Sequence, residues 1–228
     1  LRISDLNVSG AGAGGNFGIL VTGVNSTIAA NDGFITNNTV TGTLSFPGIA
    51  MQMISTAATG PMMNGLVIDG NTVTGTGPAP VASGIVVFGI NAGATGSAFD
   101  NISITNNTVT GTNGDGIQFL AINPSGSPST VNNLLIDSNT VTGNGSNGLN
   151  LNVNSATMAN LSTTNNTFDN NTTDGMTVNL SRSSISGWTG TGSASNNSVD
   201  GLVVNLQGTS SITNATFTNM TFDQNGAD

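Results

Sequence analysis

The sequence predicts an all-β solenoid of seven to eight coils, with three short strands in each coil. Three observations predict it. The stretch Asn106-Asn107-Thr108-Val109-Thr110-Gly111 returns in near copy at residues 37–42, 70–75 and 138–143, and more loosely at 165–170 and 219–224. A glycine followed by an aliphatic run returns at Gly18, Gly48, Gly84, Gly116, Gly148, Gly175 and Gly201, at steps of 30, 36, 32, 32, 27 and 26 residues. The composition is dominated by Gly, Asn, Thr and Ser and lacks Lys and Glu, which disfavours helix throughout.

Each coil opens at its glycine. Strand one is the run that follows, as in Gly84-Ile85-Val86-Val87 or Gly116-Ile117-Gln118-Phe119. Strand two is a short alternating segment, such as Ile102-Ser103-Ile104 or Leu134-Leu135-Ile136, and ends at the Asn pair. Strand three is the Thr-Val-Thr segment, whose apolar residue is Val8, Val40, Val73, Val109, Val141, Phe168 or Phe222 in successive copies. Period-2 alternation turns Ile102, Ile104 and Val109 inward, and Ser103, Thr105, Thr108 and Thr110 outward. Stacked coils of this kind form parallel sheets, and seven or eight of them at about 4.8 Å each give a rod roughly 35 Å long. Propeller blades carry four longer strands and recurring aromatic signatures, and neither appears here.

Asn38, Asn71, Asn107, Asn139 and Asn166 share one coil position. The expectation there is a tight left-handed turn and a ladder of stacked side-chain amides. Leu6 and Met220 take that position at the two ends, so the ladder is expected only in the middle. In the seventh coil, residues 196–200 repeat the pattern too close to Gly201. Strand three is therefore placed near residues 192–194, with 196–200 as a loop and Trp188 as a core residue of strand two. Trp188 as an exposed sugar platform is the alternative. Residues 56–64, 76–83 and 123–130 read as loops inserted within coils, where binding specificity can vary. Residues 91–100 read as a Gly/Ala/Ser-rich connection.

The coils, with their I-x-I-x-x-N-x-V pattern (Ile102 to Val109) and a Gly-Ile strand, resemble the right-handed parallel β-helix repeat family, the pectin-lyase-like superfamily. The resemblance covers nearly the whole chain and implies a right-handed parallel β-helix. Short-coil left-handed helices fit less well, because their coils are shorter and more uniform. The family spans lyases, hydrolases, adhesins and surface scaffolds, so the resemblance carries fold rather than function.

Charge narrows the function classes. Charged residues make up 6% of the chain, the net charge is −9, and the only cations are Arg2 and Arg182. Nucleic-acid binding needs a basic footprint that is missing. No apolar run approaches the roughly 20 residues of a transmembrane helix. With no cysteine there are no disulfides or thiolate metal sites. Low charge with abundant Asn and Thr leads to the expectation of an extracellular or cell-surface protein. The strand-like start, the unfinished final coil and the absence of a capping helix lead to a second expectation: further coils, or copies of the chain, stack on open ends.

Many enzymes of the resembled family bind substrate on the outer face of strand one. Outward positions are Leu20 and Thr22, Ala50 and Gln52, Val86 and Phe88, Gln118 and Leu120, Asn150 and Asn152, Thr177 and Asn179, Val203 and Asn205, with no charged residue or His among them. Covalent catalysis needs an activated nucleophile, and the chain has no His, Cys, Lys or Tyr. No catalytic residue, metal ligand or cofactor is therefore assigned. The acidic alternative is Asp174 with Asp200, one residue before the strand-one glycine on adjacent coils. At about 5 Å apart they suit a retaining glycosidase pair, or calcium if Asp169 joins them. Asp115, with Asn147, occupies the same column, and the plain reading is an Asx-type turn. Asp32, Asp69, Asp100 and Asp137 show no pattern.

Thr39 and Thr41, Thr72 and Thr74, Thr108 and Thr110, Thr140 and Thr142 form two files on strand three, which resemble the flat face of ice-binding β-solenoids. Threonine is also a favoured exposed strand residue. The array stops at Asn7 and Ser9 above, and at Asp169 and Asp223 below. Asn-x-Ser/Thr acceptor sites abound, among them Asn37, Asn106, Asn165, Asn179 and Asn214, and those lying in a buried ladder would be poor acceptors. The functional expectation is a non-enzymatic structural or adhesin-type scaffold, with ice or carbohydrate as alternative ligands.

Overall fold

Alternating β-branched residues favour extended backbone, and every regular element found among the described residues is a strand. The structure is a computed structural model that describes residues 1–11, 17–24, 28, 33–43, 46–55, 63–75, 82–91, 96–123 and 129–226. The inserted loops expected at 56–64, 76–83 and 123–130, and Asp32, lie wholly or largely outside them, as do residues 92–95 of the expected 91–100 connection; residues 96–100 instead open the strand Gly96–Thr105. No helix of the described residues is long and apolar enough to cross a membrane.

The chain is a parallel β-helix. The glycine-led strands, Ile19–Val24, Ile49–Ser55, Ile85–Asn91, Ile117–Ile122, Leu149–Asn154, Met176–Ser181 and Leu202–Gln207, stack in coil order as one 7-stranded parallel sheet. The second column holds Arg2–Ser4, Gly33–Thr36, Leu66–Asp69, Gly96–Thr105 and Ser129–Asp137. The third holds Asn7–Ala11, Thr39–Thr43, Thr72–Thr74, Thr108–Thr110 and Thr140–Thr142. Below these, Ala156–Thr167, Ser184–Ser193 and Ser211–Thr221 each run on through the Asn corner as a single strand. The two columns thus merge into one 14-stranded sheet. Three separate strands per coil hold for the upper coils, and two longer ones replace them in the last three.

The core is the space enclosed by these sheets. Ile104, Val109, Phe119, Val141, Leu151, Phe168 and Val178 are fully buried. The glycine that opens a coil is required by space rather than by a left-handed φ. A Cβ at Gly18 would lie 2.4 Å from Val40 Cγ1, and one at Gly84 would lie 2.2 Å from Val109 Cγ1. Trp188 is buried in the strand-two part of Ser184–Ser193, as expected. Its indole N–H donates to Thr163 Oγ1 at 2.9 Å, and its ring meets Phe217 edge-on at 4.8 Å. Gly192 pairs with Asn166 and Ser193 with Thr167, so strand three of this coil falls where the sequence placed it, and residues 196–200 form the loop.

Candidate functional site

A ladder of side-chain amides runs through the middle coils, from Asn38 to Asn166. Asn38 donates through Nδ2 to Asn71 Oδ1 at 2.9 Å, Asn71 to Asn107 at 2.9 Å, Asn107 to Asn139 at 3.0 Å and Asn139 to Asn166 at 2.9 Å. The same Nδ2 groups also reach the carbonyl of an isoleucine one coil earlier, as in Asn107 to Ile68 O at 2.9 Å and Asn139 to Ile104 O at 2.8 Å. Leu6 tops the ladder with its backbone N–H on Asn38 Oδ1. Gly192 ends it below, where a Cβ would lie 2.1 Å from Asn166 O. One expectation is corrected. The left-handed residue of the turn is not the ladder asparagine but the one before it: Asn37, Asn106, Ser138 and Asn165 have φ of 55, 53, 55 and 53°. That residue faces solvent while its neighbour is buried, so the acceptor-type sites at Asn37, Asn106 and Asn165 are exposed and lie outside the ladder. Asn214 is also exposed and Asn179 half-buried.

Two further columns escaped the sequence reading. Thr112 Oγ1 donates to Asn144 Oδ1 at 2.9 Å, and Asn144, Asn171, Asn197 and Asn225 continue amide to amide at 2.9, 3.1 and 3.1 Å. On the outside, Asn160, Asn133, Asn101 and Asn64 form an exposed chain at 2.9, 2.9 and 3.1 Å.

The carboxylates turn out to be ordered. Thr36, Asp69, Thr105, Asp137 and Thr164 stand one below another in register. Asp69 Oδ1 accepts from Thr105 Oγ1 at 2.6 Å and Asn106 Nδ2 at 2.8 Å. Asp137 accepts from Thr164, Asn165 and Ser138. Burial alone would raise the Asp137 pKa, but the hydrogen bonds from Thr164, Ser138 and Asn165 outweigh it and hold the carboxyl below its ordinary value. Asp100 takes Asn132 Nδ2 at 2.7 Å from the coil below. The reading of these residues as patternless is thereby corrected for Asp69, Asp100 and Asp137.

The column before the glycines is also a ladder. Asp115 Oδ1 accepts the Asn147 backbone N–H at 3.0 Å and its Nδ2 at 2.9 Å, while Oδ2 accepts Asn150 Nδ2 at 2.9 Å. Asp174 Oδ1 accepts the Asp200 backbone N–H at 3.1 Å, and Oδ2 accepts Thr177 Oγ1 at 2.8 Å. Asp174 and Asp200 do lie on adjacent coils, but both oxygens of Asp174 are already hydrogen-bonded and its side chain is buried. Asp169 is held by the Ser195 backbone N–H at 2.7 Å and Ser193 Oγ at 3.0 Å. Among the described residues no group of three or more carboxylates is placed to hold a metal ion.

The outer face of the glycine-led sheet differs from its top to its bottom. Ala50 and Val86, expected to be exposed, are buried, and Phe17 and Phe46 stack at 4.8 Å beside a groove lined by Pro47, Gln52, Val86 and Phe88. Lower down the face is amide-rich: Asn205 donates to Asn179 at 2.9 Å, and Asn150 Oδ1 is a buried oxygen without a hydrogen-bond partner.

The threonine files are in register. Thr39, Thr72, Thr108 and Thr140 pair in succession, as do Thr41, Thr74, Thr110 and Thr142, with no bulge between them. Thr108 and Thr140 are exposed and the others half-buried. Neither a family model, nor a curated protein, nor a solved structure matches the chain.

Proposed function

We propose that the protein is a non-enzymatic structural β-helix of the cell surface or extracellular space, a rigid rod that stacks end to end through parallel strand pairing. One observation carries the reading. In the lowest coil the inward residues Val204, Leu206, Phe217 and Phe222 are 39, 49, 37 and 44% exposed. One coil higher, Val178 and Leu180, the partners of Val204 and Leu206, are buried. These side chains continue the core column of the coils above, so a further coil, of a longer chain or of a second copy, is what would cover them. The upper end repeats the situation at Leu6, which is 47% exposed in the coil position where Asn38, one coil lower, is buried. An exposed parallel edge that carries apolar side chains templates further strands. The carboxylates support the same reading, since Asp69, Asp115, Asp137, Asp169 and Asp174 all bridge one coil to the next. The extracellular placement rests on composition, which is nearly free of charge and rich in Asn and Thr.

The test is light scattering across a concentration series on the whole chain. The mass rises with concentration for the wild type and stays at one chain for Leu206→Asp, a change at an exposed position that leaves the coils above intact. A wild type that remains a monodisperse monomer at high concentration overturns the end-to-end reading.

A further inference from the structure

We propose that the outer face of strand three is an ice-binding plane, built from the two threonine files between Thr39 and Thr142. Four features of the molecule converge on it.

The first is hydroxyl availability. Elsewhere, several threonine hydroxyls link coils: Thr105 bonds Asp69, Thr112 bonds Asn144 and Thr164 bonds Asp137. Among the described residues none of the eight hydroxyls in the two files bonds to another protein group, so all are left to solvent. The second is register. The strands Thr39–Thr43, Thr72–Thr74, Thr108–Thr110 and Thr140–Thr142 pair one to one without a register shift, so each file is straight. The third is rigidity. One amide ladder runs immediately before these strands, through Asn38, Asn71, Asn107 and Asn139, and along the lower coils a second follows just after them, through Thr112 and Asn144. The fourth is neutrality, because no charged residue interrupts either file from the first coil to Thr142.

A repeating lattice of identical groups at fixed spacing selects a ligand that repeats at the same spacing. Coils stack about 4.8 Å apart. In fully hydrogen-bonded, tetrahedral water the oxygens are about 2.8 Å apart, which puts second neighbours about 4.5 Å apart. The mismatch is roughly 0.3 Å per coil and accumulates to about 1 Å over four coils, within the swing of a freely rotating hydroxyl. Liquid water offers no such persistent repeat. Each threonine also sets a methyl beside its hydroxyl, so water over the plane is ordered by apolar surface and anchored by hydrogen bonds together. A crystalline polysaccharide is the other periodic ligand, but the files contain no aromatic ring for a sugar to stack on.

The experiment measures the gap between melting and freezing points, and the shape of single ice crystals, in solutions of the whole chain. The wild type is expected to open a gap and facet the crystals. Thr108→Tyr, in the middle of the plane, is expected to lose most of the gap. Ser103→Tyr, on the outer face of strand two, is expected to keep it. Tyrosine is well tolerated at exposed strand positions, and unchanged thermal unfolding of both variants verifies their fold. Absence of a gap with folded wild type overturns the proposal, as does a gap that survives Thr108→Tyr. Binding to microcrystalline cellulose that Thr108→Tyr abolishes, without any gap, also overturns it and reassigns the plane. Light scattering reads end-to-end stacking separately, so either proposal can fail without the other.

Discussion

A Cβ placed on Gly116 would lie 2.1 Å from Cγ1 of Val141, the strand-three core valine of the same coil. The two residues belong to the two motifs that repeat through the sequence, so the motifs are halves of one contact. The side chain that fills strand three needs an empty position at the head of strand one.

Gly116→Ala should therefore be strongly destabilising. Asn144 Nδ2 and Gly148 O are also within 3 Å of the added carbon. Overpacking of this kind costs about 1–3 kcal/mol or more. Gly143→Ala meets nothing within 4 Å and suffers only from its φ of +67°, worth about 1 kcal/mol. Denaturant unfolding midpoints should rank wild type above Gly143→Ala above Gly116→Ala. The reverse order of the two variants would refute the steric account.

Asn107→Ala should weaken the rod more than Asn38→Ala. Removing the Asn107 amide leaves the buried Asn71 backbone N–H and the Ile68 carbonyl without that partner, and each such loss costs about 1–3 kcal/mol. Asn38 serves Leu6 and Ile3 at the more exposed end. Equal losses in thermal unfolding would show that ladder position does not matter.

Acid should destabilise the protein in part through Asp137. Its carboxyl is held below the ordinary value in the folded state, so the unfolded chain takes up its proton first as pH falls. The stabilisation is complete above the unfolded pKa of about 3.9 and disappears as pH drops through the folded value. Melting temperatures between neutral pH and pH 2 should fall less steeply for Asp137→Asn. Superimposable curves would remove Asp137 from the acid response.

Trp188 should emit as a buried indole and shift to the red on unfolding, with quenching by acrylamide weak until then. Soluble oligosaccharides should leave its spectrum unchanged. A spectral shift on their addition would restore the sugar-platform reading that its burial at 1% exposure argues against.

Strong periodicity made much of this legible. Gly48, Gly84 and their equivalents marked strand one, Asn38 to Asn166 marked a ladder, and the crowding near Gly201 placed Trp188 inside. The second ladder was harder to see because Asn144, Asn171, Asn197 and Asn225 are set among glycines and threonines that look like turn residues. The usable signal was a constant offset: Asn144 and Asn171 follow the first-ladder residues Asn139 and Asn166 by 5 positions. The Asp69–Asp137 column was hidden because its members occupy alternate coils, with threonine between. The burial of Ala50 and Val86 had no local signal in the alternation of their strands; beside Val86 stand Phe17 and Phe46, which come from connections ahead of their strands. The free hydroxyls of the threonine files could not be told from the bonded ones of Thr105 or Thr164 by residue type alone.

Each amide of the first ladder from Asn38 to Asn139 touches three consecutive coils, reaching back to an isoleucine carbonyl and forward to the next asparagine. Fraying one coil from an end therefore also strips partners from the coil beyond it. Nearest-neighbour models of repeat proteins couple each unit only to the adjacent ones; here one side chain reaches the coils on both sides. Pulled from its ends, the rod should resist and then yield in steps larger than a single coil, which makes it behave as a mechanical fuse instead of a spring.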